Sequence, residues 1–235
     1  MKQFLAILLC LLVGCSTSQT VQRPVATDKL LSVSVIPAQV GANVVVSDSS
    51  VAYRPMVVVE NSQMADRLAW ALSTQLESSL RQNGFAARIL EDKELAKQIE
   101  SIQKAFSKIV DRVQEGKVRD EFVRDSALSD AAAKLADRLE VDAIAVGMMT
   151  AQVKSSETWK QNFVDATIQA AVTGTATVFT RSNTRMHLAV VHSDGRILWY
   201  RSRNTTTLFR DGTTAGAVRK GVEQTFSSFL DAYAD

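Results

Sequence analysis

The sequence predicts an α/β (α+β) fold: a mixed β-sheet with flanking helices, in a single domain carrying one amphipathic helical insertion. Three observations lead there. Apolar residues recur at two-residue spacing in some segments and at three-to-four-residue spacing in four others. The two kinds of segment interleave along the chain, the pattern of sheets covered by helices. Finally, 235 residues with 46% hydrophobic content are enough for one sizeable core.

Residues 1–14 stand apart from that fold. Lys2 supplies positive charge and Phe4 to Val13 an apolar run, the organisation of an export signal. A membrane-spanning helix needs about 20 apolar residues, and here the run stops at Gly14-Cys15 and gives way to Ser16-Thr17-Ser18-Gln19. The junction Leu12-Val13-Gly14-Cys15 resembles the lipobox of bacterial lipoproteins. That resemblance implies a lipid on the Cys15 thiol, cleavage just before it, and anchorage through acylated Cys15 to membrane lipid. Ser16, where an aspartate favours inner-membrane retention in similar enterobacterial lipoproteins, implies the outer membrane. The only other cysteine, Cys10, lies in the segment to be removed, so the mature chain is expected to hold no disulfide and no Cys-ligated metal. Residues 15–28, polar and interrupted by Pro24, read as a tether. The domain is then expected over 29–235.

Its first strand is predicted at Leu30 to Pro37, where Leu31, Val33 and Val35 alternate with Ser32, Ser34 and Ile36. Two β-prone runs follow, Val44-Val45-Val46 and Met56-Val57-Val58-Val59. Met64, Leu68, Leu72, Leu76 and Leu80 mark a helix that Asn83-Gly84 stops, and Phe85 to Leu90 reads as a strand beside the first. The insertion spans 92–126. In it Leu95, Ile99, Ile102, Phe106, Ile109 and Val113 form a heptad seam that could pack on its own chain or on a partner helix. Ile99, Phe106 and Val113 are therefore candidate interface residues. A third helix starts near Ser129 and feeds a buried-looking strand, Val141 to Met148. From Val164 to Val178 every even position is apolar or glycine and the odd ones mostly polar, a long strand with one wet face. Thr184 to Val191 and Arg196 to Ser202 form a hairpin about Ser193-Asp194-Gly195. A last helix begins near Thr213 or Thr214, its stripe made by Val218, Val222, Phe226, Phe229 and Tyr233.

Two segments, Ala136 to Gly147 and Val190 to Trp199, make this order similar to the domain shared by the amino-terminal part of TolB, CsgG and LpoB. The resemblance implies a periplasmic, non-catalytic module that binds other envelope proteins or assembles into a homo-oligomeric ring; the helical insertion departs from the compact form of that domain.

Chemistry is scarce. His187 and His192 fall on a strand and at its end and read as polar surface residues; no zinc spacing, phosphate loop or nucleophile elbow occurs. Asp142, Asp165, Asp194 and Asp211 read as caps and turn residues. No catalytic residue, cofactor or metal is expected. The near balance of 27 basic and 25 acidic residues gives nucleic acid nothing to bind. Trp70 and Trp199 are expected in the core, while Trp159, amid polar residues, is the candidate for an exposed contact. Three functions follow in order of support: a lipid-anchored scaffold or regulatory lipoprotein in envelope assembly; a CsgG-like secretion-pore subunit with 164–191 in the membrane; an envelope hydrolase.

Overall fold

The computed structural model describes residues 18–19, 30–47, 56–119, 122–123, 126–154, 182–207 and 215–233. Among these residues eight strands form one mixed sheet: β1 (Ser18–Gln19), β2 (Ser32–Val35), β3 (Gln39–Ser47), β4 (Met56–Glu60), β5 (Ala86–Ile89), β6 (Ala143–Lys154), β7 (Ser182–His192) and β8 (Ile197–Thr207). Four α-helices accompany it among the described residues: α1 (Ser62–Gln82), α2 (Ala96–Gln114), α3 (Asp130–Leu139) and α4 (Ala215–Tyr233).

The long strand β6 organises the sheet. One edge pairs antiparallel with β7, which continues the meander into β8. The other edge is shared: its first residues pair parallel with β2, and Met148 to Lys154 pair parallel with β3. Beyond β2 lies β5, also parallel, and beyond β3 lies β4, antiparallel. At the far side Ser18 and Gln19, within the expected tether, pair with Arg203 and Ser202 of β8.

Helices cover both faces, giving three layers. On one face α1 and α4 bury Leu68, Leu72, Leu76, Val222, Phe226 and Phe229 against Val33, Ala145 and Leu188. Gly147 belongs to this contact: a Cβ there would lie 3.3 Å from Leu76 Cδ1 and 3.4 Å from Leu188 Cδ2, so glycine lets α1 approach β6 closely. On the other face α2 and α3 bury Ile102, Phe106, Val110 and Leu135 against Ile36, Ile144, Ala189 and Tyr200. With both faces covered, the centre of the sheet has no wet side. That is why Ser34 and Ile36, read from the sequence as the polar-side partners of β2, are fully buried, while Leu31 just before the strand is 59% exposed.

Local chemistry sets the helix limits. Asn61 caps α1 by accepting the Met64 N–H at 2.8 Å, and Gly84, at φ +87°, takes the left-handed turn after it. Ser129 caps α3. The heptad seam of α2 is covered by its own chain: Leu95, Ile99, Ile102 and Phe106 are buried, and Ile109 and Val113 pack partly buried on the same core. Val110, off the seven-residue pattern, is fully buried. A straight helix at 3.6 residues per turn drifts away from a 3.5-residue seam, so its stripe moves from 109 towards 110. Residues 92–126 thus supply much of the second core layer.

The same geometry corrects Trp70, expected in the core but 69% exposed. At about 100° per residue, position 70 stands roughly 200° from Leu68, on the far side of α1 from its apolar stripe. Trp199 is buried as expected, edge-on to Phe226 at 5.2 Å.

Candidate functional site

Along β6 the second face reads Ile144, Val146 and Met148 beneath α2 and α3, then Thr150 and Gln152, both exposed. The strand outruns its helical cover. Register does the rest: Thr150 stands opposite Gly41 and Arg185, and Arg185 opposite Asn204. One step further out, Gln152 stands opposite Asn43 and Asn183. Since residues two apart share a face, these form two polar rows across four strands. Gln114, the last residue of α2, closes the platform from the helix side. Together they line a groove of about 470 Å³.

The groove has an unusual chemistry. Among the described residues five carboxamides, Asn43, Gln114, Gln152, Asn183 and Asn204, surround one cation, Arg185, with neither a carboxylate nor a large apolar side chain in the lining. Arg185 Nε donates to Asn204 Oδ1 at 2.8 Å, fixing both side chains.

Beneath the inner end of the groove lies His187. Expected as a polar surface residue, it is fully buried, because β7 carries a core on both faces: Met186, Leu188 and Val190 on one, His187, Ala189 and Val191 on the other. Its Nδ1 lies 2.7 Å from the Tyr200 hydroxyl and its Nε2 lies 3.2 Å from Gln114 Nε2. An amide N–H facing Nε2 requires a lone pair there, so the ring is neutral with its proton on Nδ1. Desolvation, with a smaller repulsion from Arg185, lowers its pKa to about 4. A neutral imidazole sealed between a tyrosine and a carboxamide is a packing and orienting group, without access to a substrate.

His192, partly exposed as expected near the turn, pairs with Asp194 at 3.1 Å. Asp142 clamps strand starts together: its carboxylate accepts the Leu31 N–H at 2.9 Å, the Ser32 N–H at 2.8 Å and the Ser32 hydroxyl at 2.9 Å. Burial raises its pKa, but those hydrogen bonds outweigh it and hold the value below the usual aspartate range. Neither aspartate faces a second carboxylate as an acid–base pair would, and among the described residues no group of three His, Cys, Asp or Glu side chains could hold a metal. Of the candidate site residues, Ile99, Phe106 and Val113 lie together in or against the second core layer. Cys15, Trp159, Asp165, Asp211 and the alternating run 164–178 lie outside the described residues.

The sequence did not single out the groove. Its local signal is the switch from Val146 and Met148 to Thr150 and Gln152 on one face of β6; that Asn43, Asn183 and Asn204 join them depends on register across four strands.

No family model matches the chain, and no curated protein does. Among solved structures the chain is similar to the dodecamer of a PelC point variant from Paraburkholderia phytofirmans, at 10% identity and a TM-score of 0.42, over 94% of this chain and 99% of that one. It is also similar to the PelC dodecamer from the same organism, at 11% identity and a TM-score of 0.41, over 93% and 97%.

Proposed function

We propose that this chain is a lipid-anchored envelope scaffold that works through protein contacts, beginning with contacts between copies of itself, and not through catalysis. Strand β4 carries the reading. Among the described residues it pairs with β3 alone, leaving an outer row of backbone donors and acceptors. Val58 and Val59, successive residues on opposite faces, are 54% and 49% exposed. Charges, proline or a covering helix blunt such edges in monomeric proteins; here the strand is Met56-Val57-Val58-Val59-Glu60, with a charge only at its end. Among the described residues the opposite side of the sheet ends in β8, which β1 covers at Ser18 and Gln19. Two unlike edges suit head-to-tail pairing, which generates rings when the rotation closes. In this reading Cys15 holds the assembly at the outer membrane facing the periplasm, and the exposed Trp70, with Trp159 as the further candidate contact, is left for other envelope proteins.

Sedimentation of the full chain in detergent tests it. An oligomer is expected, and the pair Val58→Lys and Val59→Lys is expected to reduce it to monomer with unchanged circular dichroism. A monomeric parent protein, or an oligomer indifferent to both lysines, would overturn the reading.

One observation favours a second reading, the pore subunit. Strands β6 and β7 stay paired out to Val153 and Ser182, so they deliver both ends of residues 155–181 side by side, as a hairpin would require. Conductance across planar bilayers, abolished by Ala170→Lys, would support it; a chain that binds bilayers through its lipid but passes no current would dismiss it.

A further inference from the structure

We propose that the carboxamide groove between Gln114 and the outer ends of β3, β6, β7 and β8 is a saccharide-binding site. This goes beyond the scaffold reading and does not depend on it. An uncovered sheet face is ordinarily kept soluble by charge. The whole chain is 22% charged, and Lys, Glu and Asp ordinarily dominate exposed positions. Among the described residues none of the three lines the groove, and carboxamides fill five of the eight lining positions. A carboxamide offers a donor and an acceptor in one plane, as does each hydroxyl of a sugar, so neighbouring hydroxyls can be matched without any net charge.

The other ligand classes fit poorly. A nucleic acid or polyphosphate asks for several cations, and among the described residues of the lining Arg185 is the single charged one. A metal ion asks for carboxylates, imidazoles or thiolates, and none is present among the described residues of the lining. A protein partner asks for a buried apolar anchor at the centre, and among the described residues of the lining the one apolar side chain is Ala151. What remains is a neutral polyhydroxylated chain, with Arg185 able to take one carboxylate through the guanidinium edge that Asn204 does not occupy.

Size and rigidity agree. At about 4.8 Å between strands, four strands give a platform about 14 Å wide. The cavity of about 470 Å³ lies within the range of about 300–1,000 Å³ found for ligand pockets. Two of the binding groups are held in place before any ligand arrives: Asn204 by Arg185, and Gln114 by the buried His187. Side chains already fixed lose less entropy on binding.

The test is titration calorimetry of the full chain in detergent with three probes: cellotetraose, chitotetraose and tetragalacturonate. At least one is expected to bind with a Kd of about 1 mM or tighter. Asn183→Asp, which keeps the shape but removes the amide donors, should weaken that binding about tenfold, the loss of roughly one good hydrogen bond. Gln152→Ala should do the same, with Tm unchanged for both. Failure of all three probes to bind, or binding that both variants leave intact, would overturn the proposal. So would an uncharged tetrapeptide that binds as tightly and with the same sensitivity, since the groove would then be reading polypeptide.

Discussion

Acidification should destabilise this protein through His187, by an amount that one substitution isolates. The ring is fully buried and its pKa is lowered to about 4 by desolvation and by Arg185, against about 6.5 in the unfolded chain. Between these values the unfolded state binds the proton and the folded state does not, so stability rises with pH across the window and is lost as pH falls through it. The full separation corresponds to about 3 kcal/mol, complete below pH 4 and absent above pH 6.5. His187→Gln removes the titration while keeping an amide between Tyr200 and Gln114. At pH 7 the variant should be less stable, by about 1–3 kcal/mol, for imperfect hydrogen bonding in a buried site. Asp142 and Asp194, both held below the usual aspartate range, titrate alike in the two proteins and cancel. Urea denaturation at pH 7, 5.5 and 4 therefore reads His187 as a gap that moves by about 3 kcal/mol in the variant's favour from neutral to acid, closing or reversing sign. A gap constant with pH would refute the burial and neutrality argued for this ring.

Three other substitutions test the fold. Asp142→Ala leaves the Leu31 and Ser32 N–H groups without the carboxylate that pins β2 to the start of β6, and should cost about 2–3 kcal/mol in urea denaturation at pH 7; the effect should fade only below the ordinary aspartate pKa, where the carboxylate is lost anyway. Gly195→Ala forces an L side chain to φ +86° and puts its Cβ 3.1 Å from the Ser129 carbonyl, so Tm should fall by the equivalent of about 1–3 kcal/mol. Phe229→Ala empties a fully buried site ringed by Phe85, Trp199, Phe226 and Tyr233 and should cost about 3–5 kcal/mol, again by denaturation.

The sequence made legible those elements whose own residues decide them. Leu68, Leu72, Leu76 and Leu80 give α1 its buried stripe, and Asp194-Gly195 turns β7 into β8, because spacing and turn chemistry are local. Tertiary facts were legible only in part. Whether the seam of α2 met a partner or its own sheet depended on Ile36, Ile144 and Tyr200 being waiting across from it. His187 looked polar and exposed because the sequence shows alternation along β7 without showing that helices lie on both sides. The groove was the least legible feature, since Gln114 is an ordinary helix-end residue and the other four carboxamides are ordinary strand residues until parallel pairing of β3 and antiparallel pairing of β7 and β8 align them with β6.

Everything proposed about location rests on the acylated thiol. Metabolic labelling with palmitate, followed by membrane fractionation, compares the parent protein with Cys15→Ser. A labelled protein is expected in the outer-membrane fraction for the parent, and an unlabelled protein for the variant. Equal label in both would contradict lipid anchorage at Cys15 and, with it, the reading of this chain as a lipid-anchored scaffold.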